Sequence, residues 1–280
     1  MTSIQDLKEP KYWLLGIAVG LMAVNLTLMW RHAPVDVVGT SLLFWGAAAF
    51  LVWEKHQDLN LESDVISSIL GTLLIGLVLL KSVNLGEYDL FLRISPFLSG
   101  VGLALLSSGW KRLAYYWQEL FILGFISIST GLLLQIFDIS PFTAKFAAFV
   151  LWYMGFQVEQ DGIYVNLPTG SIEVYSGCSG YSAILQLLGL AFLFLFMFPT
   201  NWKQKILVPI VAIVAGFAVN GVRVALMAFL VAYSSKTAFE YWHYGDGSLI
   251  FSMIGVVILG IFCWFFILRN EPESHNADKC

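Results

Sequence analysis

Eight long apolar segments dominate the chain and limit what it can fold into. A helix of about 20 apolar residues crosses the hydrocarbon core of a bilayer. The segments of roughly this length are residues 12–30, 37–53, 65–81, 91–109, 115–136, 181–198, 205–231 and 248–268. Since 58% of the residues are hydrophobic and only 12% are charged, the sequence predicts an all-α polytopic membrane protein with about eight transmembrane helices.

A shorter apolar stretch, residues 142–156, decides the predicted topology. It carries Lys145 and is short for a crossing, so we expect an amphipathic helix in the membrane interface. Both termini are then cytoplasmic, and nine basic residues lie inside against five outside, leaving aside Arg223. If the stretch crossed, the count would be eight against six. The positive-inside rule therefore favours the interfacial helix.

The last three spans have the same orientation in both arrangements. Lys203, Lys205 and Arg269 stand at one end of these helices, which predicts that this end is cytoplasmic. Cys178 and His243 then face the extracytoplasmic side of the inner (plasma) membrane. Residues 1–140 are predicted to be membrane helices that act as a scaffold or substrate groove, residues 141–270 the catalytic region and residues 271–280 a cytoplasmic tail.

The charge of the chain argues against nucleic acids as partners, and its apolar composition implies membrane lipids. The net charge is −4, and no basic cluster is large enough to indicate nucleic-acid binding. Membrane lipids are the partners that the composition implies directly.

The segment between the fifth and sixth predicted spans alternates apolar and polar residues. Residues 162–167 and 171–175 flank Pro168-Thr-Gly170, which predicts a small extracytoplasmic β-hairpin. Such a sheet would hold the following cysteine loop and offer an edge for an extended peptide. A simple ordered loop is the alternative.

Cys178 lies in Tyr175-Ser-Gly-Cys-Ser-Gly-Tyr181, directly before an apolar helix. A helix N-terminus favours a thiolate, and backbone N–H groups near Ser179 and Gly180 could bind an oxyanion. A small buried side chain without a chemical role is the alternative for a lone cysteine.

Arg223 interrupts an otherwise apolar helix. An arginine within a span is costly and usually faces a polar cavity, where it can bind a carboxylate or a developing oxyanion. Asn220 is three residues earlier and shares its helical face. The alternative is a structural or snorkelling arginine.

His243 precedes the last span in Glu240-Tyr-Trp-His-Tyr-Gly-Asp-Gly-Ser248. Histidine is the side chain best suited to proton exchange near neutral pH. Asp246 could orient the imidazole, although an N-cap of the next helix is the simpler role. The neighbouring aromatic residues also fit an interfacial belt. No metal or cofactor is expected, because no His-Glu-x-x-His motif or paired intramembrane aspartate is present.

Three short sequence blocks make the chain resemble the exosortase/archaeosortase family, and their sequences look closest to its cyanobacterial branch, the cyanoexosortases. They are Glu173-Val-Tyr-Ser-Gly-Cys178-Ser-Gly, Asn220-Gly-Val-Arg223, and His243 with Gly245-Asp-Gly247. The resemblance covers roughly residues 142–268.

The resemblance implies a membrane cysteine transpeptidase or protease. Its partners would be exported proteins that carry a C-terminal sorting signal, made of a Pro-Glu-Pro-like motif, a hydrophobic helix and a basic tail, and an acceptor molecule. Cys178 would be the nucleophile, His243 the acid/base and Arg223 the stabiliser of the intermediate. Two other classes stay open, a transporter that binds an anion at Arg223 and a membrane thiol acyltransferase.

Overall fold

The apolar runs form helices in the computed structural model, which describes residues 9–33, 35–83, 89–243, 245 and 247–270. Short 3₁₀ turns at Trp110–Tyr116, Ser176–Cys178 and Leu268–Asn270 accompany the helices. The α-helices are α1 (Pro10–His32), α2 (Val35–Glu54), α3 (Val65–Val83), α4 (Leu90–Ser108), α5 (Trp117–Phe125), α6 (Thr130–Ile136), α7 (Ser140–Tyr153), α8 (Tyr181–Met197), α9 (Trp202–Tyr233), α10 (Lys236–His243) and α11 (Gly247–Phe266).

Seven of the described helices are long and apolar enough to cross a membrane, and an eighth crossing results if 110–125 and 130–136 form one span. The prediction of an all-α polytopic membrane protein with about eight spans is confirmed. A small antiparallel sheet accompanies the helices.

The predicted continuous helix over residues 115–136 is wrong. The chain leaves the helix after Phe125, and Ser129 has an extended backbone before α6 begins. Isoleucines and serines alternate through this break. β-Branched side chains lose rotamer freedom in helices, and serine hydroxyls compete for backbone groups. The Ser127 hydroxyl donates a hydrogen bond of 3.0 Å to the carbonyl of Arg93. This hydroxyl is therefore satisfied by α4 and not by the backbone of α5.

The chain divides into two compact units, residues 1–128 and 129–280. In the first unit, α3 and α4 approach closely at Gly71, where an added Cβ would lie 2.7 Å from the carbonyl oxygen of Gly102. Asn25 is buried and donates 2.9 Å to the hydroxyl of Ser95, while the Trp45 indole donates 3.1 Å to Asn25. These bonds satisfy polar groups inside apolar helices.

In the second unit, the predicted hairpin is confirmed and a third strand extends it. The strands are β1 (Glu159–Asp161), β2 (Tyr164–Leu167) and β3 (Gly170–Glu173), in the order β1-β2-β3. β1 was not predicted, although Asp161-Gly162 is a strong hairpin signal and Gly162 adopts a φ of 58° there.

One face of the sheet packs on two helices. Val165, Leu167 and Val174 are buried against small residues of α7 and α9, and the core includes Ala144, Ala147, Ala148, Leu151, Val224, Ala225 and Ala228. Small side chains bring the helix backbones close beneath the sheet. The strand that leads to Cys178 therefore rests on a rigid base.

α7 corresponds to the stretch predicted to lie in the interface. Its buried face consists of small residues and Leu151, whereas Phe142, Lys145, Phe149 and Trp152 are exposed. With 14 residues it is about 21 Å long, less than the roughly 30 Å of hydrocarbon. Its interfacial placement stays a prediction.

α9 is longer than a membrane crossing requires. Its 32 residues extend about 48 Å, whereas about 30 Å of hydrocarbon needs only 20 residues. The helix begins with a capping box between Asn201 and Gln204, next to Lys203 and Lys205. Counting 20 residues from this basic end brings the chain to Arg223. This count predicts that Arg223 is near the far membrane surface, and the later turns of α9 support the sheet.

α10 lies between the last two predicted spans and is a short helix that ends at His243. Its exposed residues Lys236 and Glu240 form an i,i+4 ion pair at 3.7 Å. The helix packs against α9 and α11. The predicted tail, residues 271–280, lies outside the described residues.

Candidate active site

The cysteine lies in a tight turn between the sheet and α8. After β3, Val174 is fully buried and the chain turns through Ser176–Cys178. The amide of Cys178 donates 2.9 Å to the carbonyl of Tyr175, and the Ser179 hydroxyl donates 2.8 Å to the carbonyl of Ser176. These bonds hold the half-buried thiol at the start of α8.

Two neighbouring helices fix the carbonyls of this turn. Asn220 on α9 donates 2.9 Å to the carbonyl of Cys178, and Thr143 on α7 donates 2.6 Å to the carbonyl of Ser179. Asn220 and Thr143 are both buried. The backbone around the sulfur is therefore clamped from two sides, which limits its freedom before any substrate binds.

Gly180 is required at the N-cap of α8 for two reasons. Its φ is 105°, a conformation that L side chains rarely adopt, and an added Cβ would lie 2.9 Å from Nδ2 of Asn220. Only glycine lets α8 start here while Asn220 reaches the Cys178 carbonyl.

His243 stands beside the sulfur. Its Nε2 is 3.4 Å from Sγ of Cys178, within hydrogen-bond range for a sulfur atom. The imidazole is buried, and it stacks on Phe239 with ring centroids 5.0 Å apart and planes 17° from parallel. The Tyr175 ring lies 6.4 Å away, centroid to centroid. The stacking and α10 together hold the imidazole edge toward the thiol.

Arg223 approaches the histidine from α9. Its Nη2 donates 2.9 Å to the backbone carbonyl of His243. Its buried Nε has no hydrogen-bond partner among the described residues. A guanidinium with uncommitted donors can stabilise negative charge that develops nearby.

The surroundings of His243 keep its imidazole neutral. Burial lowers the pKa of His243 below its ordinary value of 6.5, and the positive charge of Arg223 lowers the pKa further. A neutral imidazole can accept the thiol proton, which makes the Cys178 and His243 pair suited to nucleophilic catalysis with a general base.

A cavity of ≈ 40 Å³ lies between α8, α9 and α11, next to this pair. Asn220 and Arg223 both line it, so the two residues that share a face of α9 also share a cavity. Gln186, Ser248 and Ser252 add polar groups to the lining. The volume suits a small polar group, and it is far too small for a transmembrane helix.

The structure brings Cys178, Asn220, Arg223 and His243 together by direct contacts. Ser179 adjoins them with a buried side chain that closes the turn, and its amide donates 3.4 Å to the Ser176 carbonyl. The first N–H groups of α8, from Gly180 onward, are then the backbone donors that remain for an oxyanion.

Glu173, from the first of the three blocks that carry the resemblance, stands apart from this cluster. Glu173 is exposed at the end of β3, and none of the hydrogen bonds or ion pairs found among the described residues joins it to Cys178, Arg223 or His243. Asp246 lies outside the described residues.

Sequence reasoning missed three residues that shape the site: Thr143, Phe239 and Gln186. Gln186 is a polar residue inside an apolar run, the same signal that identified Arg223. Thr143 and Phe239 carry no such signal, because a threonine in an apolar helix and a phenylalanine near an interface are ordinary.

One comparison with known proteins matches more of the chain than residues 142–268, where the sequence motifs lie. A family model described as "Transmembrane exosortase (Exosortase_EpsH)" matches residues 30–260, which includes Cys178, Arg223 and His243. No curated protein and no solved structure matches the chain.

Proposed function

The chain belongs to the transmembrane exosortase family, and we propose that it is a cysteine transpeptidase or protease that cleaves C-terminal sorting signals of exported proteins. A thioacyl-enzyme on Cys178 would pass the cleaved protein to an acceptor molecule. The observation that carries this proposal is the 3.4 Å separation between Sγ of Cys178 and Nε2 of His243. A nucleophile within reach of a neutral base is what covalent acyl transfer requires.

The first half of the reaction forms the thioester. His243 Nε2 takes the thiol proton while Sγ of Cys178 attacks the scissile carbonyl carbon. The oxyanion is stabilised by Arg223 and by N–H groups at the start of α8. The C–N bond then breaks as the imidazolium returns its proton to the leaving amine.

The second half reverses these roles. The acceptor nucleophile gives its proton to His243 and attacks the thioester carbon. The C–S bond breaks, and the sulfur regains the proton from the imidazolium. An amine acceptor gives transpeptidation, whereas water gives hydrolysis, so one site accounts for both outcomes.

The location of the site suits a substrate with a hydrophobic segment. Arg223 lies about 20 residues, one hydrocarbon thickness, from the basic start of α9, so Cys178 belongs to the opposite membrane surface. Basic residues at Lys203, Lys205 and Arg269 support the extracytoplasmic side of the inner membrane for this surface. The termini would then be cytoplasmic. A sorting signal whose helix is in the bilayer would present its preceding segment to the thiol.

A trapping experiment tests this proposal. The purified protein is placed in lipid vesicles with a synthetic sorting signal, made of a Pro-Glu-Pro-like motif, a hydrophobic helix and a basic tail, and is quenched in acid. Mass spectrometry is expected to find a peptide thioester on Cys178, since C–N cleavage leaves the acyl part on sulfur. A fatty acyl group on Cys178 would instead indicate a thiol acyltransferase. Solute accumulation in vesicles that survives Cys178→Ser but not Arg223→Ala would indicate a transporter.

The pH profile gives a second prediction. The acid limb of kcat/KM reports protonation of the general base in the free enzyme, and we expect its midpoint below pH 6.5. In Arg223→Gln the positive charge is gone, the imidazolium is less disfavoured, and the midpoint moves to higher pH. The rate itself falls by about 10²–10³-fold, the usual loss for an oxyanion donor.

Arg223→Lys is the matched control, because it retains the charge while losing the planar fork. The midpoint of its acid limb should equal that of the wild type, although its rate falls. Equal midpoints in the glutamine and lysine variants would remove Arg223 as a cause of the lowered pKa of His243.

A further inference from the structure

β3 exposes one edge that leads directly to Cys178. The amide of Val174 donates 2.9 Å to the carbonyl of Ile163, in register with the β2–β3 pairing. In an antiparallel ladder, hydrogen-bonded pairs alternate along the strand. Gly170, Ile172 and Val174 therefore bond toward β2, while the N–H and C=O groups of Ser171 and Glu173 face away from it. We call these four groups the outer edge of β3.

The outer edge has no strand partner among the described residues. β3 is a terminal strand of the sheet formed by the described residues. The side chains of Ser171 and Glu173 are exposed, as is Tyr175 further along. An edge strand with open N–H and C=O groups is a template for another extended chain.

The edge is also rigidly placed with respect to the nucleophile. An added Cβ at Gly170 would lie 3.2 Å from Cα of Ala232, and the Thr169 hydroxyl donates 2.7 Å to the carbonyl of Ala232. Five residues after Glu173, the carbonyl of Cys178 is held by Asn220. Ala232 and Asn220 lie about 18 Å apart along the axis of α9, and Asn220 is the one closer to its basic end. β3 therefore runs toward the thiol and toward the basic end of α9.

We propose that the outer edge of β3 binds the substrate as an added parallel strand, through the extended segment that precedes the scissile bond. This inference rests on the proposed function. A sorting signal that passes from an exported domain into the membrane runs in the same direction as β3, which makes the pairing parallel. The paired segment is the acyl part of the substrate, the part that stays on Cys178 in the thioester.

The pairing defines what the edge recognises. Backbone groups supply the hydrogen bonds, so the segment must be extended and lack proline at the paired positions. Only alternate residues of a parallel partner direct their N–H and C=O groups toward β3. Cys178 is five positions after Glu173, a span of at most about 17 Å. The paired residues therefore lie within about eight residues of the scissile bond.

Proline substitutions in the enzyme test the edge. Ser171→Pro removes an outward N–H and leaves the β2–β3 ladder intact. We expect thioester formation with the synthetic sorting signal to slow by about tenfold or more, from one lost bond and the intruding ring. Ser171→Ala should stay within about twofold of the wild type, since the side chain is not used.

Gln160→Pro is the matched control on the opposite edge. Register pairs Gln160 with Val165, whose backbone bonds toward β3, so the Gln160 N–H faces outward from β1. Gln160→Pro should form the thioester at the wild-type rate. The edge proposal is overturned if Ser171→Pro and Gln160→Pro form the thioester at the same rate, provided that iodoacetamide alkylates Cys178 in both variants at the wild-type rate.

A substrate scan keeps the test independent of how the variants fold. Single N-methyl groups are placed along the eight residues before the scissile bond, and thioester formation by the wild-type protein is timed. We expect two slow positions with a normal position between them, because only the carbonyls of Ser171 and Glu173 accept from substrate N–H groups and a parallel partner directs alternate residues toward β3. A flat or non-alternating profile rejects strand addition. If the unmodified signal forms no thioester on wild-type Cys178, the proposed function fails, whatever the edge does.

Discussion

Replacing Cys178 with alanine is expected to abolish processing of a sorting-signal substrate, with a rate loss of at least about 10⁴-fold, as for other covalent nucleophiles. The reason is that Sγ is the nucleophile of the proposed mechanism and lies 3.4 Å from its base, His243 Nε2. Without the thiol, the acyl group has no covalent carrier between signal and acceptor. The measurement is the fraction of a tagged reporter that is cleaved in cells, resolved by gel shift.

Cys263→Ala is the control for this variant. Cys263 is the other cysteine among the described residues, and it is buried in α11 against Leu187 and Ala191. It has no place in the proposed mechanism, so processing should stay near the wild-type level. Full processing by Cys178→Ala, with the protein present in the membrane, would rule out the thioacyl route.

The positions of the long helices were predictable because the length and hydropathy of each apolar run determine them. The run predicted at 65–81 forms Val65–Val83, and the run predicted at 181–198 forms Tyr181–Met197. An apolar helix in a bilayer satisfies its own backbone, so length and hydropathy decide its bounds. The break after Phe125 escaped prediction because residues on both sides are equally apolar. Its cause is a local competition for hydrogen bonds that hydropathy does not register.

The residues that form the site were predictable, whereas the contacts between them were less so. Cys178, Arg223 and His243 each stand out as reactive groups beside or within apolar runs. The sequence does not show that α10 is a helix, and only its packing against α9 and α11 turns the imidazole toward the thiol. Asn220 lines the cavity together with Arg223, as their shared helical face implies, and it also holds the Cys178 carbonyl, a contact that the sequence does not show. These contacts depend on tertiary packing over more than 40 residues.

Arg223 and the imidazole side chain of His243 can be separated experimentally. Arg223 bonds to the backbone carbonyl of His243, a group that every substitution at position 243 retains. A variant that lacks the imidazole therefore keeps the Arg223 contact. Loss of activity in such a variant measures proton transfer rather than the position of the guanidinium.

His243→Ala is expected to lower kcat by about 10²–10⁴-fold, the usual contribution of a general acid–base residue. Both half-reactions need Nε2, first as the thiol's base and then as the base for the acceptor. The acid limb of the pH profile, which reports His243, should also disappear. Single-turnover thioester formation and its decay on addition of acceptor measure the two steps separately, and both should slow.

The control is His56→Ala, because His56 is exposed and stacks on Trp53 at the end of α2. It should leave both steps unchanged. Added imidazole gives a further check, since the space vacated by the side chain lies beside the sulfur and a free base there can accept its proton. Rescue of His243→Ala but not of Cys178→Ala by imidazole would assign proton transfer to His243. A His243→Ala variant that retains the wild-type rate and acid limb would remove His243 from the mechanism and require a different base for Cys178.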